Sequence, residues 1–146
     1  MIYLGSDHAG FRLKGKVREH LKERGIESED LGAFVLNPDD DYPDFVIPVA
    51  KKVAENGEQH KGIVFGWSGQ GEAMAANKAK GVRSAVYYGG SLEIVKLSRS
   101  DNDANVLSLG SGFLTKEQAI EAVDLWLGTP FEGGRHERRV NKIEEK

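Results

Sequence analysis

The sequence predicts an α/β chain in which a five-stranded parallel sheet is covered by helices on both faces, a three-layer α/β/α sandwich. Three observations carry this. Five short β-rich runs, at residues 1–4, 26–31, 62–65, 83–88 and 106–109, alternate with stretches of helical periodicity. The third and fifth runs are almost wholly apolar, as strands buried on both faces are. The turns after the first and third runs, residues 5–10 and 66–71, are rich in glycine and sit at strand ends. Ligands of such sheets bind beyond the carboxyl ends of the strands, at the topological switch point. In a flavodoxin-like strand order that point lies between the first and third strands, so these two loops are expected to meet at one cleft.

Each element has its own signal. Residues 11–24 carry Leu13, Val17 and Leu21 at helical spacing, and Gly25 closes that helix. Residues 26–31 form a weak, polar strand. The loop at 37–44, Asn-Pro-Asp-Asp-Asp-Tyr-Pro-Asp, is built of turn formers. Counted from Asp39 it lacks the glycine and glutamate of a calcium loop. Pro43 suits a helix start, and Pro48 bends that helix or marks its true first turn. After the third strand comes an alanine-rich helix. Ser91 is expected to cap the next helix, and Thr115 with Gln118 forms a capping box ahead of a helix that Gly128 and Pro130 stop. A last helix is expected over 137–145, with Val140 and Ile143 on one side.

The chain has 146 residues, 39% of them hydrophobic and 29% charged, enough for one domain (1–146) with a real core. No cysteine is present, which removes disulfides, thiolate nucleophiles and cysteine-based metal sites. The net charge of −3 argues against a nucleic-acid partner. The N-terminus carries no export signal and no segment long and apolar enough for a membrane, so a soluble, cytoplasmic protein is expected. Four histidines lie far apart with no H-x-x-x-H, so neither a metal nor another cofactor is indicated.

The most informative stretch is Gly66-Trp67-Ser68-Gly69-Gln70-Gly71-Glu72, between the third strand and its helix. Its glycines let backbone N–H groups converge where the helix N-terminus adds about half a positive charge, a suitable seat for an oxyanion or phosphate. The order G-x-x-G-x-G is not a dinucleotide fingerprint. Nor is it a P-loop, because Glu72 and Ala73 stand where Lys and Ser or Thr are needed. A carboxylate beside an anion cradle suits proton abstraction from carbon with stabilisation of an enediolate, the chemistry of sugar isomerases. The alternative is that Glu72 only complements the helix dipole.

Asp7 and His8, at the end of the first strand, can hold sugar hydroxyls or assist ring opening, or else serve as a helix cap and a surface histidine. Ser68 can bond a hydroxyl or only its own turn. Arg135, His136 and Arg139 offer donors for a phosphate, or form an ordinary basic helix end.

Taken in order, residues 5–10, Asp41-Tyr42-Pro43, Gly69-x-Gly71 with residues 75–78, residues 102–107, and Gly133-Gly134-Arg135-His136 with Arg139 resemble the type B ribose-5-phosphate isomerases, a family that includes the galactose-6-phosphate isomerase subunits. The resemblance spans the chain. It implies a Rossmann-like sandwich, a homodimer with interfacial active sites, and metal-independent interconversion of ribose 5-phosphate and ribulose 5-phosphate. It further implies that Asp7, His8, Tyr42 and Asn102 contact the sugar and that the amides of Gly69, Gln70 and Gly71 cradle the enediolate. Ser68 takes the family's Ser or Thr position, and Arg135, His136 and Arg139 clamp the phosphate.

Three positions depart from the family pattern. Gly66 stands where many members have a cysteine base, and a branch without it carries a glutamate at the place of Glu72. Asp101 replaces a histidine assigned to ring opening, leaving that task to Asp101 or His8, unless the substrate is already open-chain. Gly112 replaces an arginine that assists the phosphate. These departures leave two alternatives open, an isomerase of a tetrose or hexose phosphate and a non-catalytic sugar-phosphate binder.

Overall fold

The structure, a computed structural model, describes residues 1–145. Five parallel strands, β1 (Ile2–Ser6), β2 (Ser28–Asp30), β3 (Lys61–Gly66), β4 (Ser84–Tyr87) and β5 (Val106–Gly110), form one sheet in the order β2-β1-β3-β5-β4. The helices are α1 (Phe11–Glu23), α2 (Pro43–Glu55), α3 (Gln70–Ala76), α4 (Glu93–Ser100), α5 (Lys116–Gly128) and α6 (Arg135–Glu144). Leu13, Val17 and Leu21 of α1, Val95 of α4 and Ala119, Val123 and Trp126 of α5 form one core on the sheet. Val46, Val49, Ala50 and Val53 of α2 and Ala76 of α3 build the other on the opposite face. The three-layer sandwich read from the sequence is the fold observed.

The strand order departs from the flavodoxin-like one at its far end, where β5 rather than β4 lies against β3. Burial explains the exchange. Every residue of β5 is buried, whereas Ser84, Ala85 and Val86 of β4 are half-exposed and suit an edge. The polar β2 takes the other edge. The reversal of direction still falls between β1 and β3, which pair from Ile2 with Lys61 to Ser6 with Phe65. The loops after them therefore adjoin, and Gly10 lies so close to the Phe65 backbone that no Cβ fits there.

Local signals set the boundaries. Gly25, at φ +69°, donates to the Lys22 carbonyl and ends α1. Pro43 opens α2, which runs through Pro48. The capping box is present at Thr115 and Gln118. Two expectations shift. Ser91 Oγ accepts from the Glu93 amide, but the cap residue itself is Leu92. In α6, which starts two residues earlier than expected, Val140 is buried while Ile143 is exposed, because only the Val140 side meets the body of the protein.

Lys14 is almost fully buried on α1, and its Nζ donates to Asp30 Oδ1 (2.8 Å) and the Ala33 carbonyl (2.6 Å). Burial lowers its pKa, and the Asp30 partner opposes that. Lys14→Met leaves Asp30 without its cation. It is expected to cost roughly 3 kcal/mol of stability, read from urea unfolding.

Candidate active site

The turn from β3 into α3 is built around Glu72. Gly69, at φ +81°, makes the bend, and its carbonyl accepts from Ser108 Oγ on β5 (2.6 Å). Glu72 follows in the first turn of α3, yet it does not point to solvent: only 4% of the residue is exposed. Its carboxylate packs on Gly66, so that a Cβ at residue 66 would coincide with it. The carboxylate thus fills the space that a side chain of residue 66 would need. Burial pushes its pKa above the ordinary carboxyl range, its own backbone N–H pulls the other way, and the Asp7 charge adds to the rise. Burial is the largest of these effects. The neighbouring Trp67 is 64% exposed, and its indole lies on Gly112, in the space that a side chain at residue 112 would take.

Gly66→Ala tests the packing. The new methyl group meets only the end of a flexible side chain, so the fold should survive while the carboxylate is forced out of place. Turnover is expected to fall about 100-fold, with a much smaller change in melting temperature, measured on the same preparation.

Around Glu72 the structure gathers several expected residues. Tyr42 packs on Gly71, its hydroxyl 2.7 Å from where a Cβ would stand. Asp7 is buried, and its Oδ1 accepts from the amides of Ala9 (3.0 Å) and Gly10 (3.3 Å), so it shapes its own loop. It also lies near enough to raise the pKa of both Glu72 and His8. Ser68 Oγ accepts from the Gln70 amide (3.2 Å), the turn-stabilising role, which occupies one of the three cradle amides. Among the described residues the Gly69 and Gly71 amides have no acceptor.

One participant was missed by sequence reasoning. Asp40 Oδ1 accepts from both the backbone amide (2.9 Å) and Nδ1 (2.7 Å) of His8. That hydrogen bond is the main cause of a raised His8 pKa, with the charges of Asp7, Asp40 and Asp39 adding and burial opposing. Nothing in the run Asp39-Asp40-Asp41 marks the middle residue as the one that folds back.

Asp101, Asn102, Arg135, His136 and Arg139 are not brought to Glu72 within this chain. Residues 101–105 precede β5 and so lie at the amino end of the sheet, whereas Glu72 follows the carboxyl end of β3. The strand between spans about 16 Å. There His136 is buried with its Nε2 3.6 Å from Asp101 Oδ1 and from Glu132 Oε2, too far for hydrogen bonds. Asn102, Arg135 and Arg139 are exposed. Two groups offer three metal-ligand atoms within 4.8 Å of one another, Asp7–His8–Asp40 and Asp101–Glu132–His136. Spacing along the chain shows neither. A groove of about 910 Å³ runs between α1 and β2, past Lys14, Arg18 and Phe34, and shares no residue with the β3–α3 turn. Among the described residues no helix is long and apolar enough to cross a membrane.

The class of protein this arrangement defines is a Rossmann-like sandwich with a buried carboxylate and glycine-borne amides at its switch point. Residues 2–143 match the model of the ribose/galactose isomerase family, and the chain belongs to that family. It is 44% identical to a probable ribose-5-phosphate isomerase B of Mycoplasma genitalium over 97% of this chain and 92% of the relative. It is 42% identical to the ribose-5-phosphate isomerase B of Mycobacterium leprae over 99% and 88%. A crystal structure of the ribose-5-phosphate isomerase B of M. genitalium with bound ribulose 5-phosphate superimposes with a TM-score of 0.95, at 44% identity over 99% of this chain and 93% of that one.

Proposed function

We propose that this protein interconverts ribose 5-phosphate and ribulose 5-phosphate with Glu72 as the base. The observation that carries the reading is the buried Glu72 carboxylate, seated on Gly66 with a raised pKa beside unpaired backbone amides. The carboxylate takes the proton from C2 of the open-chain aldose and returns it to C1, while the hydroxyl proton moves from O2 to O1. The Gly69 and Gly71 amides hold the developing oxyanion, and a raised pKa makes the protonated intermediate easier to reach. Asp7, His8 and Tyr42 hold the sugar.

The remaining residues act in a homodimer. Asp101, Asn102, Arg135, His136 and Arg139 of one protomer complete the site of its partner, a reading supported by their place at the far end of the sheet and by the exposure of both arginines. An exposed aromatic group beside the turn, Trp67 with Phe113 (centroids 6.2 Å apart) and Tyr88 (6.0 Å from Phe113), is apolar surface suited to a partner. Trp67 over Gly112 favours a second reading, in which the preferred sugar phosphate is a tetrose or hexose phosphate. Solvent deuterium entering C1 or C2 of a panel of sugar phosphates, followed by NMR, tests both. Fastest entry or interconversion with the pentose phosphates supports the first reading; neither entry into nor interconversion of any sugar sinks both in favour of a binding protein.

A further inference from the structure

An aldose 5-phosphate is mostly a closed furanose, and its C2 proton becomes acidic only once the C1 carbonyl is free. Opening the ring requires a proton to leave the anomeric hydroxyl and another to reach the ring oxygen. Glu72 is committed to C1 and C2, so a second acid–base group is needed. At this end of the sheet one side chain has the required form. A carboxylate can only accept hydrogen bonds, so Asp40 Oδ1, 2.7 Å from His8 Nδ1, fixes the neutral imidazole with its proton on Nδ1 and its lone pair on Nε2. The same oxygen accepts the His8 backbone amide at 2.9 Å, so main chain and ring are clasped together. Asp40 is itself only 8% exposed, and its Oδ2 is buried without a partner, whereas the His8 side chain is 37% exposed and reachable by a ligand. The loop that carries His8 follows β1 and adjoins the one that leads to Glu72 after β3, as the β1–β3 pairing and the contact of Gly10 with the Phe65 backbone show. In the homodimer proposed above Asp101 and His136 of the other protomer also reach the site, but the His136 Nε2 makes no hydrogen bond to a carboxylate that would fix its tautomer.

We infer that His8 and Asp40 form the acid–base couple that opens the sugar ring, with His8 as the catalytic residue and Asp40 as its positioning residue. The inference rests on the isomerase reading. His8 Nε2 takes the proton of the anomeric hydroxyl as the C1–O4 bond breaks and C1=O forms. The same imidazole gives a proton to O4, so it ends as it began and no co-reactant is consumed.

The test separates ring opening from enediolate chemistry. Ribulose 5-phosphate has no such ring to open, and its C1 protons exchange with solvent through Glu72 alone. Asp40→Asn is nearly isosteric, and His8→Gln serves as the second variant. Both are expected to slow conversion of ribose 5-phosphate at least ~10-fold, while in Asp40→Asn deuterium entry into C1 of ribulose 5-phosphate stays within about twofold of the parent rate. A structural lesion would lower the two rates together. The pH profile supplies a further readout. The base form of His8 is neutral, so ribose 5-phosphate turnover falls as pH drops through its pKa. Asp40 raises that pKa, as do the charges of Asp7 and Asp39, while burial opposes them. Asp40→Asn removes the largest contribution, and the acid limb should move to lower pH. Equal losses in both assays for Asp40→Asn, an acid limb unmoved in that variant, or full ribose 5-phosphate turnover in His8→Gln overturn the assignment. A parent protein that neither interconverts the two pentose phosphates nor exchanges deuterium into ribulose 5-phosphate overturns the isomerase reading and this inference with it.

Discussion

Glu72→Gln is expected to lower turnover of the sugar phosphate by about 10³-fold and to leave the melting temperature unchanged or higher. The loss follows because an amide cannot accept the C2 proton, although it fills the same space against Gly66. The stability side follows from linkage. Burial raises the folded-state pKa of Glu72 above its unfolded value, so folding favours the protonated form. The contribution to stability is therefore greatest below the unfolded pKa and is lost as pH rises through the folded one. At neutral pH the ionised side chain opposes folding, and glutamine removes that opposition. Paired kinetic and calorimetric measurements on parent and variant check both halves. A variant that keeps its turnover ends the assignment of Glu72 as base, and a large fall in melting temperature would mean that the carboxylate supports the fold instead.

Mixing Glu72→Gln protein with Arg135→Ala protein is expected to restore activity that neither has alone. Arg135 stands at the start of α6, at the opposite end of the sheet from Glu72. In a homodimer with shared sites, each mixed dimer pairs one intact base with one intact clamp in one of its two sites. With random reassortment half of the dimers are mixed, so roughly a quarter of the parent turnover should return. Were clamp and base supplied by the same chain, every site in the mixture would lack one of them and nothing would return. The assay needs only unfolding and refolding of the two variants together, with each refolded alone as the control.

The legible parts of this protein were those in which a short stretch carries its own reason. The β3–α3 turn announced itself because three glycines and a carboxylate act within seven residues, and the turn at 5–10 followed because both loops belong at the switch point of a parallel sheet. Three features could not be read that way. The exchange of β4 and β5 depends on which of two apolar strands is better buried. The seating of Trp67 on Gly112 joins residues 45 positions apart. The clasp of His8 by Asp40 joins residues 32 positions apart and picks one of three consecutive aspartates.

By itself the sequence determined the layers of the sandwich, the switch point between β1 and β3 and the identity of the base candidate, because periodicity, glycine turns and caps are interactions within a few residues; the family was legible only through the resemblance of its separated motifs. Tertiary structure alone decided that the base is buried against Gly66 rather than displayed at a helix end, that its pKa moves upward, and that the arginines stand a strand's length away from it. Those outcomes depend on which distant surfaces exclude water from a group, and desolvation is a property of the packed neighbourhood, not of the residues on either side in the chain.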